Sequence, residues 1–358
     1  MNAPTSALHA AGQSIWLDNI TRTMLDDGTI QGFINDLNVT GLTSNPSIFD
    51  KAIATGAYDD AIRAAAGSGQ SAEEIFFGLA IDDLRRAADM FLGIHERTAG
   101  VDGWVSLEVS PELAHDTDAT VDAAIDLHRK AGRSNLFIKI PGTPEGLPAI
   151  EKAIAAGVPV NVTLLFDRAQ YLAAADAYLA GIERRVAEGL DPVVESVASV
   201  FMSRWDKAVA DKVPAELANT LALAVGADLY RAYRELMDSE RWQRLEAAGA
   251  HMQRLLFAST STKDPSAPDT LYVTGLVAPM TVNTMPDNTL EAFADHGAVG
   301  ADLPADGGDC DAVLKAFGAA GVDVSALAQQ LQAEGAASFV EAWNDLIAHV
   351  AKQVASVS

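Results

Sequence analysis

The chain has 358 residues, of which 49% are hydrophobic and 21% charged, with 25 Lys and Arg against 49 Asp and Glu and a net charge of −24. That composition excludes long disorder, and a surface so negative excludes nucleic acid and anionic membranes as partners. The single cysteine, Cys310, excludes a disulfide framework within the chain.

Short β-branched runs near 14–18, 39–44, 104–109, 136–140, 159–165, 196–202, 254–259 and 271–276 predict strands. Between most of them lie Ala-, Glu- and Arg-rich stretches with helical spacing, as at 116–131, 144–156 and 168–188. Gly100, Gly132, Gly157 and Gly189 follow helix-like stretches, where a terminal glycine is expected. The repeated alternation predicts an α/β fold: a parallel sheet closed into a (β/α)8 TIM barrel, as one domain over 1–358. Extra helices are expected near 51–98 and 204–249, with a helical C-terminal tail over 300–354. The polar stretch 260–270 leaves little room for a helix after the seventh strand. No apolar run approaches the roughly 18 residues of a membrane span. The first residues carry neither a basic nor an apolar targeting stretch, so a cytoplasmic protein is expected.

Side chains along a strand alternate between faces. Ile15 and Leu17 oppose Trp16 and Asp18, and Val105, Leu107 and Val109 oppose Trp104, Ser106 and Glu108. Leu136, Ile138 and Ile140 oppose Phe137 and Lys139, and Val160, Val162 and Leu164 oppose Asn161 and Thr163. One face is aliphatic, as outer helices require. The other ends in a polar or ionisable group, as if pointing into a barrel, and such groups gather at the C-terminal ends of barrel strands. In chain order they are Asp18, Thr43, Asn45, Glu108, Lys139, Asn161, Thr163, Ser199 and Ser259. Any one of them read alone is a hydrogen-bonded strand end; the recurrence points to a site. Lys139, between Phe137-Ile138 and Ile140-Pro141, is either an ion-pair partner of Asp18 or Glu108 or a reactive group.

A lysine held among apolar groups can attack a carbonyl and form a Schiff base. The iminium is an electron sink that lets the bond β to the nitrogen break. Asp18 and Glu108 can divide the proton transfers, and Asn and Thr donors can orient hydroxyl groups and a water. This set suits a sugar ketose. The seven histidines show no metal-ligand spacing, and neither a GxGxxG nor a Walker A motif occurs, so no metal or cofactor is expected. Cys310, in Gly307-Gly308-Asp309-Cys310-Asp311, reads as a loop or helix-start thiol.

Six segments in consistent order carry a resemblance: Trp16-Leu17-Asp18, Thr43-Ser44-Asn45-Pro46-Ser47, Ser106-Leu107-Glu108-Val109, Phe137-Ile138-Lys139-Ile140-Pro141, Asn161-Val162-Thr163-Leu164-Leu165-Phe166 and Val282-Asn283-Thr284-Met285-Pro286. From about residue 14 to about residue 297 the chain resembles the transaldolases, specifically a long bacterial subfamily. The resemblance implies a class I aldolase-like barrel. It also implies cofactor-free, metal-free transfer of a dihydroxyacetone unit from sedoheptulose 7-phosphate to glyceraldehyde 3-phosphate in the pentose phosphate pathway. The products would be erythrose 4-phosphate and fructose 6-phosphate. By resemblance, Lys139 is the Schiff-base lysine and Asp18 the acid/base for the C–C bond. Glu108 would serve imine formation and hydrolysis through a water held by Thr163. Thr43, Asn45, Asn161 and Ser199 would bind substrate or order the site, and Phe201 would line it. Arg204 matches a phosphate-binding arginine of the family. A second family arginine follows the seventh strand, where this chain reads Ala258-Ser259-Thr260-Ser261-Thr262-Lys263. Ser259 is carried over; Lys263 is either the substitute cation or a solvated loop charge, and it lacks the bidentate fork of an arginine.

Small sugar phosphates are the expected partners of a monomer or homodimer. Two other readings remain at this stage: an aldolase of the same fold that releases free dihydroxyacetone, and a non-catalytic sugar-phosphate-binding barrel.

Overall fold

The computed structural model describes residues 2–357. Eight strands run β1 Gln13–Leu17, β2 Val39–Leu42, β3 Val105–Glu108, β4 Leu136–Pro141, β5 Val160–Leu165, β6 Ser196–Phe201, β7 Arg254–Ala258 and β8 Thr281–Met285. They are hydrogen-bonded in the order β2-β1-β8-β7-β6-β5-β4-β3, every pair parallel. The ends of that order meet where Gly103 N donates to Thr40 O (2.8 Å) and Leu42 N to Trp104 O (2.9 Å), which closes the ring. The result is the expected (β/α)8 barrel.

Glycine makes the β2–β3 seam possible. A Cβ on Gly41 would stand 2.7 Å from the Trp104 carbonyl oxygen. Gly103 sits at φ +84°, and a Cβ there would stand 2.4 Å from the His95 backbone nitrogen. Neither position has room for a side chain.

The outer helices form where sequence periodicity places them. Thr117–Ala131 starts on an Asp116 side chain that accepts from Ala119 N, and it stops at Gly132 in the left-handed conformation. Gly146–Ala155 and Arg168–Ala187 follow β4 and β5. The stretch near 51–98 holds Pro46–Ala54, Asp59–Ala65 and Ala72–Arg97, the last opened by a Ser71/Glu74 capping box. The stretch near 204–249 holds Ser203–Val209, Leu221–Met237 and Glu240–Ala247. The C-terminal part ends in Cys310–Ala319 and the long helix Val324–Val357. Among the described residues no helix is long and apolar enough to cross a membrane.

One predicted element is corrected. The run 271–276 is not the eighth strand: Leu271–Thr274 is a single helical turn, followed by buried Leu276, Val277 and Ala278. The eighth strand is Thr281–Met285, which overlaps the segment Val282–Pro286 that carried the family resemblance. The apolar residues at 271–278 pack beside the barrel, and their β-branched character reflects burial.

The N-terminal end of the barrel is tied by a buried polar cluster. Asp102, 3% exposed, accepts hydrogen bonds from Trp16 Nε1 (2.7 Å) and from Ser14 Oγ. Arg254 donates to Ser14 Oγ (2.6 Å), Thr281 O (2.9 Å) and Val101 O (2.8 Å), with Asp102 3.9 Å away. The cluster joins β1, β7, β8 and the approach to β3. Removing one partner of such a cluster leaves the others buried and unpaired, which costs about 3–5 kcal/mol. Asp102→Ala is therefore expected to lower the unfolding free energy by about that amount and Asp102→Asn by less, read from urea midpoints. An unchanged midpoint in Asp102→Ala would show that the cluster does not hold the barrel floor.

Candidate active site

Inward-facing residues stack in layers two positions apart along the strands. Trp16, Trp104 and Phe137 fill the barrel, with Trp104 stacked on Phe137 at 4.0 Å and Trp16 6.2 Å from it. Asp18 follows Trp16 and Lys139 follows Phe137 by two residues, while Glu108 lies two beyond Ser106, which pairs with Phe137, and four beyond Trp104. The charged layer thus sits on an aromatic floor that keeps water away from below.

Lys139 and Glu108 face each other in register across β4 and β3. The Lys139 ammonium donates to Glu108 Oε2 at 3.1 Å and to the Ser44 carbonyl at 2.9 Å. The two side chains are only 7% and 4% exposed. Burial pushes the Glu108 carboxyl up, against the opposing pull of Lys139. Burial likewise raises Asp18, against Lys139 and the hydrogen bond from Thr43. Thr43 Oγ1 donates to Asp18 Oδ1 (2.8 Å) and lies 3.0 Å from Thr284 Oγ1. Glu108 Oε1 and Thr163 Oγ1 are both buried with no hydrogen-bond partner among the described residues.

The open end is a cavity of about 170 Å³ lined by Asp18, Thr43, Asn45, Lys139, Thr163, Ser199, Phe201, Arg204, Ala258, Ser259, Ser261, Lys263, Thr284, Pro286 and Phe339. Asn45 is also the cap of Pro46–Ala54, its Oδ1 accepting from Ile48 N at 3.1 Å. Pro46 at the first helical position fits this capping geometry. Ser259 holds a left-handed backbone at φ +56°, and its hydroxyl lies 3.0 Å from that of Ser203. Such strain in a non-glycine residue concentrates at functional sites.

Arg204 lies over the Phe201 ring at 5.0 Å, and burial lowers its pKa. Lys263, at the outer lip, is lowered by burial and then by its neighbours Lys207 and Arg204, with Lys51 a smaller contributor. Among the described residues none of Arg204, Lys207, Lys263 and Lys51 makes a side-chain ion pair. Cations left unpaired beside one another in a chain of net charge −24 form a local anion-attracting patch.

Twelve positions were expected at the site, and the structure brings them to one end of the barrel. Ten line the cavity: Asp18, Thr43, Asn45, Lys139, Thr163, Ser199, Phe201, Arg204, Ser259 and Lys263. Glu108 stands behind Lys139. Asn161, wholly buried, lies beneath: its Nδ2 donates to Ser106 Oγ (3.2 Å) and its Oδ1 accepts from Ser199 Oγ (2.7 Å). The ion pair expected as one reading of Lys139 is present, to Glu108.

Sequence reasoning missed Thr284, Pro286, Ser261, Lys207, Lys51, the Ser44 carbonyl and Phe339. Thr284 was discoverable: its register opposite Trp16 makes it inward once β8 is placed. Phe339, whose ring centroid lies 6.0 Å from Lys139 Nζ, arrives on the helix Val324–Val357 and gives no local signal.

Comparison with known proteins agrees with this geometry. Residues 15–350 match the family described as Transaldolase/Fructose-6-phosphate aldolase. A protein of Thermobifida fusca (strain YX) named Transaldolase is 47% identical over 99% of this chain and 100% of its own length. One of Parafrankia sp. (strain EAN1pec) with the same name is 44% identical over all of both chains. One of Acidothermus cellulolyticus, also so named, is 45% identical over 99% of this chain and 98% of its own. A closed barrel carrying a buried lysine between two carboxylates, matched along almost its full length, belongs to the transaldolase/fructose-6-phosphate aldolase family.

Proposed function

We propose that the protein is a transaldolase that moves a dihydroxyacetone unit between sugar phosphates through a Schiff base on Lys139. The observation that carries this reading is the buried Lys139–Glu108 contact at 3.1 Å, with Asp18 on the same cavity. A binding protein needs neither a nucleophile nor two carboxylates of raised pKa, and burying them is costly. We take the donor as sedoheptulose 7-phosphate and the acceptor as glyceraldehyde 3-phosphate, giving erythrose 4-phosphate and fructose 6-phosphate in the non-oxidative pentose phosphate pathway of the cytoplasm. One barrel domain over 1–358 carries the whole site.

Glu108 takes a proton from the Lys139 ammonium, and the amine attacks the ketose C2 carbonyl. Protonation of the carbinolamine oxygen expels water and leaves the iminium. Asp18 removes the C4 hydroxyl proton; C3–C4 breaks, its electrons enter the iminium as an enamine, and the aldehyde departs. The enamine C3 attacks the acceptor aldehyde while Asp18 returns the proton. A water held by Thr163 and Glu108 then hydrolyses the new iminium; their buried, unpartnered oxygens support that placement. Asn45 and Ser199 bind hydroxyl groups, with Asn161 ordering Ser199 from below. Arg204 meets the phosphate, and Ser259 and Lys263 complete its site.

Borohydride added with fructose 6-phosphate is expected to fix a three-carbon adduct on Lys139. Lys139→Ala should lose both adduct and turnover, and Asp18→Ala should accumulate a six-carbon adduct because the imine forms but C3–C4 holds. Mass spectrometry of trapped protein separates these outcomes. Normal turnover by folded Lys139→Ala would end the Schiff-base reading. Assays with and without acceptor aldehyde distinguish transfer from release of free dihydroxyacetone; fast release without acceptor would make the protein the aldolase of the same family.

Arg204→Ala is expected to lower kcat/KM for fructose 6-phosphate by about 2–4 kcal/mol, the scale of a lost charge-assisted pair, and to leave unphosphorylated fructose nearly unaffected. Lys263→Ala should show a smaller loss of the same kind. Equal losses on both sugars would remove Arg204 from the phosphate site.

A base with a raised pKa is already protonated, and inactive, at a pH where an ordinary carboxylate remains ionised. Asp18 and Glu108 are both raised. The acid limb of kcat/KM is therefore expected above the ordinary carboxylate range of about 4. Fructose is the donor for this measurement, since it carries no titrating phosphate. A limb at or below that range would show that neither carboxylate is held in its raised state for catalysis.

A further inference from the structure

The helix Val324–Val357 crosses the open end of the barrel and is fastened at several points. Gln332 Nε2 donates to the carbonyls of Gly142 (3.1 Å) and Leu164 (2.9 Å), just past or within the ends of β4 and β5. Further along, His349 Nδ1 pairs with Asp50 (2.6 Å) and Gln353 Nε2 donates to Asp59 (3.1 Å), on the helices after β2. Between these anchors Phe339 lines the cavity, and one helical turn before it stands the buried Gly335.

Glycine is the poorest helix former after proline, so a buried glycine within this helix calls for a local reason. A Cβ on Gly335 would stand 2.8 Å from Arg204 Nη1 and 2.9 Å from Leu164 Cδ2. By contrast, Gly78 and Gly318, also within helices, have nothing within 4 Å of an added Cβ. Arg204 has the Phe201 ring against it at 5.0 Å and makes no hydrogen bond or ion pair among the described residues. The Glu334 carboxylate, next to Gly335 on the same helix, attracts the guanidinium without a direct ion pair, so close packing fixes where it lies, and Gly335 is part of that packing.

We infer that Gly335 is a positioning residue for Arg204: the missing side chain is the seat of the guanidinium. Through it the C-terminal helix sets how far the cation stands from Lys139, and so which length of ketose phosphate spans the two. This rests on the reading of Arg204 as the phosphate cation. A methyl group at 335 meets only the ends of two side chains, so it displaces the cation without requiring the helix backbone to move.

The test compares Gly335→Ala with Gly78→Ala, the same change where space is open. Steady-state kinetics are measured on fructose 6-phosphate and on fructose, together with the inhibition constant of inorganic phosphate. Gly335→Ala is expected to raise KM for fructose 6-phosphate and the phosphate inhibition constant between about tenfold and a hundredfold, as for a small misplacement of a binding group. Activity on fructose should stay as in the unaltered protein, as should every constant of Gly78→Ala. In an Arg204→Ala background, Gly335→Ala should add no loss. Equal losses on both sugars, or a loss that persists without Arg204, would overturn the positioning role and leave the phosphate reading intact. Failure of Arg204→Ala to discriminate the two sugars would overturn both. Should Gly335→Ala fold poorly, the double variant must fold as Arg204→Ala does; poor folding in both would make Gly335 a structural residue only.

Discussion

A lysine ammonium almost without solvent contact needs a neutralising partner, and the rest of the site is arranged around that need. Glu108 opposes Lys139 across the β3–β4 ladder at 3.1 Å, and the Ser44 carbonyl supplies a second acceptor. The first contact needs only the β3–β4 ladder, whereas the second could not form in an open sheet. The carbonyl belongs to the segment after β2, which reaches Lys139 because the β2–β3 seam is closed. Gly41 and Gly103 permit that closure, so two residues without side chains bear indirectly on the placement of the Lys139 ammonium.

The aromatic layer of Trp16, Trp104 and Phe137 sets the electrostatics. It lies to one side of the charged layer, and burial is the largest influence raising both carboxyl groups. Toward solvent, the cations Arg204, Lys207 and Lys263 stand where the barrel opens. Above the aromatic layer, charge thus changes along the barrel axis from the ion pair to the anion-attracting lip. On the proposed reading, an extended ketose phosphate would lie with its carbonyl low, at Lys139, and its phosphate high, at the lip.

Much of this was legible in the sequence because closure of a parallel barrel enforces period-two alternation. Asp18, Glu108, Lys139 and Thr163 each follow an inward residue by two positions, and that rhythm survives without any knowledge of pairing. The eighth strand was not legible. Thr281–Met285 carries polar residues on both faces, including the wholly buried Asn283, and so lacks the aliphatic face that marks the other strands. The run at 271–276 looked more strand-like because its residues are buried beside the barrel. Gly335 and Phe339 were hidden for a different reason. Nothing local to a helix records what a barrel strand far earlier in the chain will place against it.

The helix Val324–Val357 also sets an order of assembly. β8 pairs with β1 through Ile15 and Asn283, so the ring closes only when residues near the last third of the chain have emerged from the ribosome. Gly335 and Phe339 emerge later still. A nascent chain of intermediate length would hold Lys139, both carboxylates and a complete ring, yet leave Arg204 without the packing of Gly335 and the cavity without Phe339. The mouth of the barrel thus receives Gly335 and Phe339 only after the ring beneath it can already close.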